Sequence, residues 1–352
     1  MEQYITATPS QLGVIVEAMI LDCQPILIAG PPGGGKTAIV EQTLLKLKAD
    51  SIYIDAATSD LTVPAGVPWV DLQADEARFV PYGQLKRALT AKKRTGMFFD
   101  DIGWASDSVQ KAFAHLFHER RTPSGAMLSK YVSIIGATNR RTDKAGVQGL
   151  LEPVKSRFHT IIHLQSNLQD WLDWAYTRDD VPVELTTFLQ FRGIGSGQIF
   201  HQFIPSLDLT NGPSPRTWYN AGRILRLGLP ADVELIALCG AVGEGPGKEL
   251  SAFVRVARDL PTFESIIMSP KSVAIPEKPS TLYALAAMLG ARANLRNFDN
   301  IAVYLQRLTA GSHAEVAALC LRELDRRKNA AIESPAYAKL LLGPLGRLIR
   351  GE

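Results

Sequence analysis

Residues 30–37 read Gly30-Pro31-Pro32-Gly33-Gly34-Gly35-Lys36-Thr37. They follow the apolar run ILIA and open the helix-like stretch KTAIVEQTLLKLKA. The chemistry this suits is holding a phosphate chain. Backbone N–H groups must wrap an anion at close range, and side chains in the loop would obstruct them. The start of the following helix adds a partial positive charge. Lys36 is placed to reach the β- and γ-phosphates of a nucleotide, and Thr37 to offer a hydroxyl to Mg2+.

Four further stretches could complete that chemistry. MFFDDIG ends an apolar run in Asp100 and Asp101. Asp100 suits Mg2+, which favours oxygen ligands and keeps several waters. Asp101 is placed to orient or deprotonate an attacking water; the alternative is a capping pair for the helix that follows. SIIGATNRR ends another run in Thr138 and Asn139. An amide at the C-terminal end of a central strand can hydrogen-bond the water or the γ-phosphate, although a lone Asn is also an ordinary turn residue. EPVKSRF supplies Lys155 and Arg157, either surface charges or a finger reaching a neighbour's phosphate. In GPSPRTW, Ser214 and Pro215 start a helix and Arg216 falls in its first turn, where a cation is disfavoured unless an anion partners it.

The elements that must position these groups can be read from periodicity. TPSQLGVIVEAMILDC is a helix, with Thr8 capping, Pro9 at its first position and Gln11 completing a capping box. Strands are expected at PILIA, SIYIDAA, GMFFDD, YVSIIGAT and HTIIHL. Most are separated by helical patterns, which implies a parallel sheet with helices on both faces over residues 1–165. Between the second and third strands, VPWVDL and ARFVPY alternate apolar and polar residues around a polar turn, a hairpin insert near 61–82. It is either a plain surface ribbon or a protruding loop with Trp69, Phe79 and Tyr82 as contact residues. Beyond 165 the alternation stops. Residues 166–265 read as an all-helical lid domain, and 266–352 as a proline-marked linker and a helical C-terminal extension.

Composition narrows the class. The 352 residues are 46% hydrophobic and 21% charged, an ordinary globular balance. A net charge of +3, with Lys and Arg scattered, is too weak to argue for nucleic acid. The three cysteines, Cys23, Cys239 and Cys320, form no C-x-x-C, so neither a zinc site nor a disulfide framework is expected. MEQYITATPS lacks the pattern of a signal peptide, and no run reaches the ~20 apolar residues of a membrane span. A cytoplasmic protein is the expectation, with no membrane partner.

The order of these motifs resembles the AAA+ ATPases, in particular the MoxR-like branch. The resemblance implies a P-loop NTPase α/β domain followed by a helical lid. Gly30, Pro31, Pro32, Gly33, Gly34, Gly35, Lys36 and Thr37 correspond to Walker A, with ATP and Mg2+ as cofactors. Asp100 and Asp101 correspond to Walker B, with Thr37 and Asp100 toward the metal. Asn139 corresponds to sensor 1, Arg157 to the trans-acting arginine finger and Arg216 to sensor 2. DDIGWASDSVQKAFAHLFHER is similar to the Walker B segment of that branch and the helix after it, and the hairpin resembles its helix-2 insert. One departure is Asp101, where the family usually has Glu; a shorter acid implies slow hydrolysis or dependence on closure of the oligomer. The C-terminal extension lies outside the common pattern.

The resemblance implies a ring-forming ATPase, a homo-oligomer and in this branch a hexamer, that remodels or activates a partner protein. A von Willebrand factor A domain protein is the partner it points to. A nucleic-acid motor or loader on the same engine stays open, although no helix-turn-helix, zinc or winged module is recognisable. So does a slowly hydrolysing ATP-dependent switch, because of Asp101.

Overall fold

The computed structural model describes residues 4–72, 75–140, 143, 149–193, 199–201, 209–258 and 260–350. They fall into two compact units, Met1–Asn167 and Leu168–Glu352.

The first unit runs β1 (Thr6–Ala7), α1 (Pro9–Leu21), β2 (Ile26–Ala29), α2 (Lys36–Lys46), β3 (Asp50–Asp55), α3 (Thr62–Ala65), β4 (Val67–Asp71), β5 (Glu76–Val80), α4 (Gly83–Leu89), β6 (Thr95–Asp100), α5 (Asp107–Glu119), β7 (Val132–Thr138), α6 (Glu152–Lys155) and β8 (Thr160–Leu164). Six strands form one sheet in the order β1-β8-β2-β7-β6-β3, with every pairing parallel. The central strands are buried on both faces, so they read as continuous apolar runs rather than alternations. Phe98 faces a core with Leu12, Val16, Val40 and Leu44 from α1 and α2. Its neighbour Phe99 faces the opposite way, onto Phe113 and Phe117 of α5, at ring distances of 4.9 and 5.0 Å. The capping box of Thr8 and Gln11 is formed at the start of α1.

The sheet has one strand more than periodicity indicates. Thr6 and Ala7 pair with His163 and Leu164 at the β8 edge. Two residues are too few to show a period of two, so only the partner strand makes them recognisable.

β4 and β5 form a separate antiparallel ribbon, with Val67 opposite Val80 and Trp69 opposite Arg78. Its root needs glycine: Gly66 has φ +94°, and a Cβ there would stand 2.7 Å from the Val80 carbonyl oxygen. The ribbon's apolar side chains are left largely uncovered, Trp69 at 59% and Phe79 at 50% exposure. Nearby, the loop after α5 closes through Arg121 and Met127, and its Ser124 hydroxyl donates to the Ala65 carbonyl at the ribbon's root (3.4 Å).

The second unit is helical. It comprises α7 (Leu168–Tyr176), α8 (Val183–Gly193), α9 (Pro215–Leu225), α10 (Ala231–Val242), α11 (Glu244–Arg258), α12 (Phe263–Met268), α13 (Pro279–Arg292), α14 (Phe298–Ala310), α15 (Ala314–Arg326), α16 (Pro335–Leu342) and α17 (Pro344–Arg350). One core gathers Trp171, Phe188, Trp218 and Phe253. Another gathers Leu285, Phe298, Leu305 and Leu321. The proline-bearing stretch between α12 and α13 is tied down. Arg307 donates to the Pro270 and Val273 carbonyls (2.8 Å each), and the Tyr304 hydroxyl donates to Ala274 (3.0 Å).

A buried charge joins the first helix of this unit to α15. Glu323 is 1% exposed and accepts from the Tyr176 hydroxyl (2.9 Å) and from Arg327 Nε (3.3 Å). The Arg327 guanidinium lies 4.4 Å from the Tyr176 ring centroid. Burial, then the Glu323 charge, hold the Tyr176 hydroxyl above its ordinary pKa, so it remains a donor. Removing one member of such a set strands the others away from water. Glu323→Ala should therefore cost about 3 kcal/mol. Hydrogen exchange in α7 and α15 is the check, and both helices should lose protection together.

Candidate functional site

The loop Gly30–Thr37 leaves β2 and enters α2, with Lys36 at the helix's first position. Two glycines carry left-handed backbone, Gly33 at φ 71° and Gly35 at φ 96°. The second directly precedes Lys36 and sets its direction. A Cβ on Gly34 would stand 3.1 Å from the Pro31 carbonyl oxygen, so a side chain there would press on the loop's own backbone. Lys36 is 7% exposed. Its ammonium donates to the carbonyls of Gly30 (2.9 Å) and Pro31 (3.1 Å) and to Asn139 Oδ1 (2.7 Å).

The acids come from β6, two strands from β2 across β7. Thr37 Oγ1 donates to Asp100 Oδ2 at 2.8 Å, and the backbone N–H of Asp101 donates to Asp100 Oδ1 at 3.1 Å. Asp101 sits in the left-handed region at φ 50°, ψ 39°. Asp and Asn adopt that conformation more readily than other residues bearing a Cβ. Asn139, just beyond β7, donates through Nδ2 to Asp101 Oδ1 at 3.3 Å. Lys36, Thr37, Asp100, Asp101 and Asn139, collected from three neighbouring strand ends, are thus linked by side-chain and backbone hydrogen bonds at the carboxyl edge of the sheet.

The donor set fits a hard divalent cation held together with a ligand's oxygens. A hydroxyl and a carboxylate, at Thr37 and Asp100, are what Mg2+ takes from protein when phosphates and water supply the rest. Among the described residues, no three His, Cys, Asp or Glu side chains converge into a self-sufficient metal cage.

Arg157 follows α6. Val154 and Phe158 on either side of it are buried in the α5 face of the core, and the Phe158 ring lies 4.8 Å from Phe117. The segment before it is clamped by Gln110 of α5, which is fully buried. That amide donates to the Gly149 carbonyl (3.0 Å) and accepts from the Leu151 N–H (3.1 Å). Arg157 is left half-buried, one terminal nitrogen on the Pro153 carbonyl and its Nε without a hydrogen-bond partner. Among the described residues it makes no hydrogen bond or ion pair with the constellation around Lys36. Lys155 pairs locally with Glu152. Arg216 lies in the second unit, exposed in the first turn of α9, where Ser214 and Thr217 form a capping box.

Sequence reasoning missed two groups here. Arg140 and Asp143 form a multiple hydrogen-bonded pair directly after Asn139 (2.9–3.2 Å). Tyr53 on β3 places its hydroxyl 3.4 Å from Asp100 Oδ2. Burial, then the charges of Asp100 and Asp55, push that hydroxyl up to about 12, so it stays protonated. The signal for Tyr53 was its parity: it alternates with Ile52 and Ile54, so it shares a sheet face with Asp55.

Residues 25–158 match the model of the AAA domain, dynein-related subfamily. No curated protein matches the chain. Among solved structures, a variant of RuvB from Thermotoga maritima is 17% identical, with 79% of this chain and 80% of that one covered and a TM-score of 0.40. A second RuvB structure, described as a Holliday junction branch migration motor, is 16% identical over 80% of both chains, with a TM-score of 0.39. NtrX from Brucella abortus, in complex with ADP, is 14% identical, covering 97% of this chain and 67% of its own at a TM-score of 0.41.

Proposed function

We propose that this chain, whose residues 25–158 match the AAA domain model, hydrolyses ATP as a subunit of a closed ring and spends the conformational work on a partner protein. The observation that carries the reading is the hydrogen-bonded set of Lys36, Thr37, Asp100, Asp101 and Asn139 at one edge of the sheet. The finer assignment, to the MoxR-like branch with a hexameric ring and a von Willebrand factor A domain partner, rests on the motif order PSPRTW after GLLEPVKSRF and on the ribbon inserted before α4.

In this reading the loop N–H groups and Lys36 hold the β- and γ-phosphates. Lys36 exchanges its bond with Asn139 for phosphate oxygen. That frees the Asn139 amide to orient a water, and Asp101 accepts the water's proton as it attacks. Thr37 and Asp100 would hold Mg2+, which would supply charge neutralisation at the phosphate oxygens. Arg157 completes the site of an adjacent subunit. Its segment suits that role, because Gln110, Val154 and Phe158 fix the backbone while the guanidinium makes few bonds of its own. Arg216 reports the nucleotide to the helical lid.

Lys36→Ala tests the nucleotide reading. A charge-assisted hydrogen bond is worth about 1.5–3 kcal/mol, so nucleotide affinity should fall roughly 10- to 100-fold. Titration with a fluorescent ATP analogue measures it, and unchanged affinity would remove Lys36 from the phosphate site.

A further inference from the structure

The arrangement of β3 points to a residue that none of the motifs contains. Asp100 Oδ2 receives two side-chain donors from opposite sides, Thr37 of α2 at 2.8 Å and Tyr53 of β3 at 3.4 Å. Its other oxygen receives the Asp101 N–H. Tyr53 is not opposite Asp100. Its register partner is Phe98, and Asp55 is the residue paired with Asp100. The phenol crosses diagonally along the shared face, which is within reach of a long aromatic side chain. The ring is held while it does so, packed at 5.9 Å against Phe98, itself 1% exposed. β3 is the edge strand of the sheet among the described residues, and Tyr53 remains 47% exposed.

This geometry has a particular use. Thr37 is itself a candidate metal ligand, so it cannot be counted on to orient Asp100 independently of the ion. The Tyr53 hydroxyl donates to Asp100 and belongs to neither the phosphate loop nor the acid pair. It anchors the carboxylate from the side away from the phosphate loop. A bond of 3.4 Å is long for two oxygens, and such bonds commonly tighten when a site closes on its ligand.

We propose that Tyr53 is the positioning residue of Asp100, fixing the carboxylate for the divalent cation that accompanies the nucleotide. It rests on the nucleotide-and-metal reading of the site, and deepens it by naming a residue that raises metal affinity without touching the ion.

The test measures Mn2+ binding by electron paramagnetic resonance in the presence of saturating ADP, for the full chain and for Tyr53→Phe and Asp100→Asn. Phenylalanine keeps the packing on Phe98 and removes only the hydroxyl. One ordinary hydrogen bond corresponds to about a 3- to 10-fold effect, so Tyr53→Phe should weaken Mn2+ by that factor. ADP affinity measured in EDTA should not move. Asp100→Asn should weaken Mn2+ more than Tyr53→Phe does. If Asp100→Asn weakens Mn2+ and Tyr53→Phe does not, the role given to Tyr53 is wrong. Equal loss of ADP affinity in EDTA would make Tyr53 a support of the fold and also overturn it. If Asp100→Asn binds Mn2+ as the unaltered chain does, the metal reading itself fails, and the role of Tyr53 with it.

Discussion

Arg157→Ala should lower ATP turnover by about 10³- to 10⁵-fold while nucleotide binding stays within twofold of the unaltered chain, the range that arginine fingers supply in phosphoryl transfer. The separation of the two effects follows from position. Among the described residues Arg157 makes no hydrogen bond or ion pair with Lys36, Thr37 or the two acids, so its loss should not disturb binding within one subunit. Its backbone is held by Val154 and Phe158, which remain buried when the guanidinium is cut away. A mixing experiment separates a trans role from a structural one. Arg157→Ala subunits keep their own loop and acids, and Lys36→Ala subunits keep Arg157. Combined, they should recover turnover that neither shows alone. Two inactive proteins that remain inactive on mixing, although they co-assemble, would exclude the trans-acting role.

Asp101 should respond to substitution in a less intuitive order. On the role proposed for Asp101, Asp101→Asn removes the proton acceptor and should lower the chemical step by about 10²- to 10⁴-fold. Asp101→Glu restores the acid length usual in the resembling family, yet it should be slower than aspartate here. The reason is the backbone. At φ 50°, ψ 39° the position favours Asp and Asn, and a residue outside that pair incurs about 1–2 kcal/mol. The carboxylate of Asp101 already meets the Asn139 amide at 3.3 Å, and one more methylene would carry it past that donor. Single-turnover hydrolysis by the assembled protein, measured for both variants, decides the order. Faster hydrolysis by Asp101→Glu would show that aspartate is a deficit rather than a fit.

Much of this site was legible as text because its parts follow one another along strand ends. GPPGGGKT, MFFDD and GATN each mark a residue just past an apolar run, and a parallel sheet brings such ends to one edge. What stayed hidden are relations across the sheet. Gln110 reads as a polar residue of an amphipathic helix; only the fold turns it inward to hold Gly149 and Leu151. Tyr53 reads as a strand aromatic, and its reach to Asp100 depends on β3 lying beside β6, a pairing that no local pattern encodes. The strand at Thr6–Ala7 is defined wholly by its partner. The left-handed backbone at Asp101 was also invisible, although it changes the meaning of having aspartate there.

The helices after Pro279 bear on where this protein could be cut. Tyr283 of α13 rests its ring 5.1 Å from Phe191 of α8, and Leu260 packs against both helical cores. A truncation after Met268 would remove Tyr283 from Phe191, leaving Phe253 as its aromatic neighbour, and would remove the buried carboxylate of Glu323 from Tyr176. The C-terminal helices therefore do not behave as a removable module hung on a tether. The aromatic contact of Tyr283 with Phe191 and the buried Glu323 beside Tyr176 tie α13 and α15 to α8 and α7.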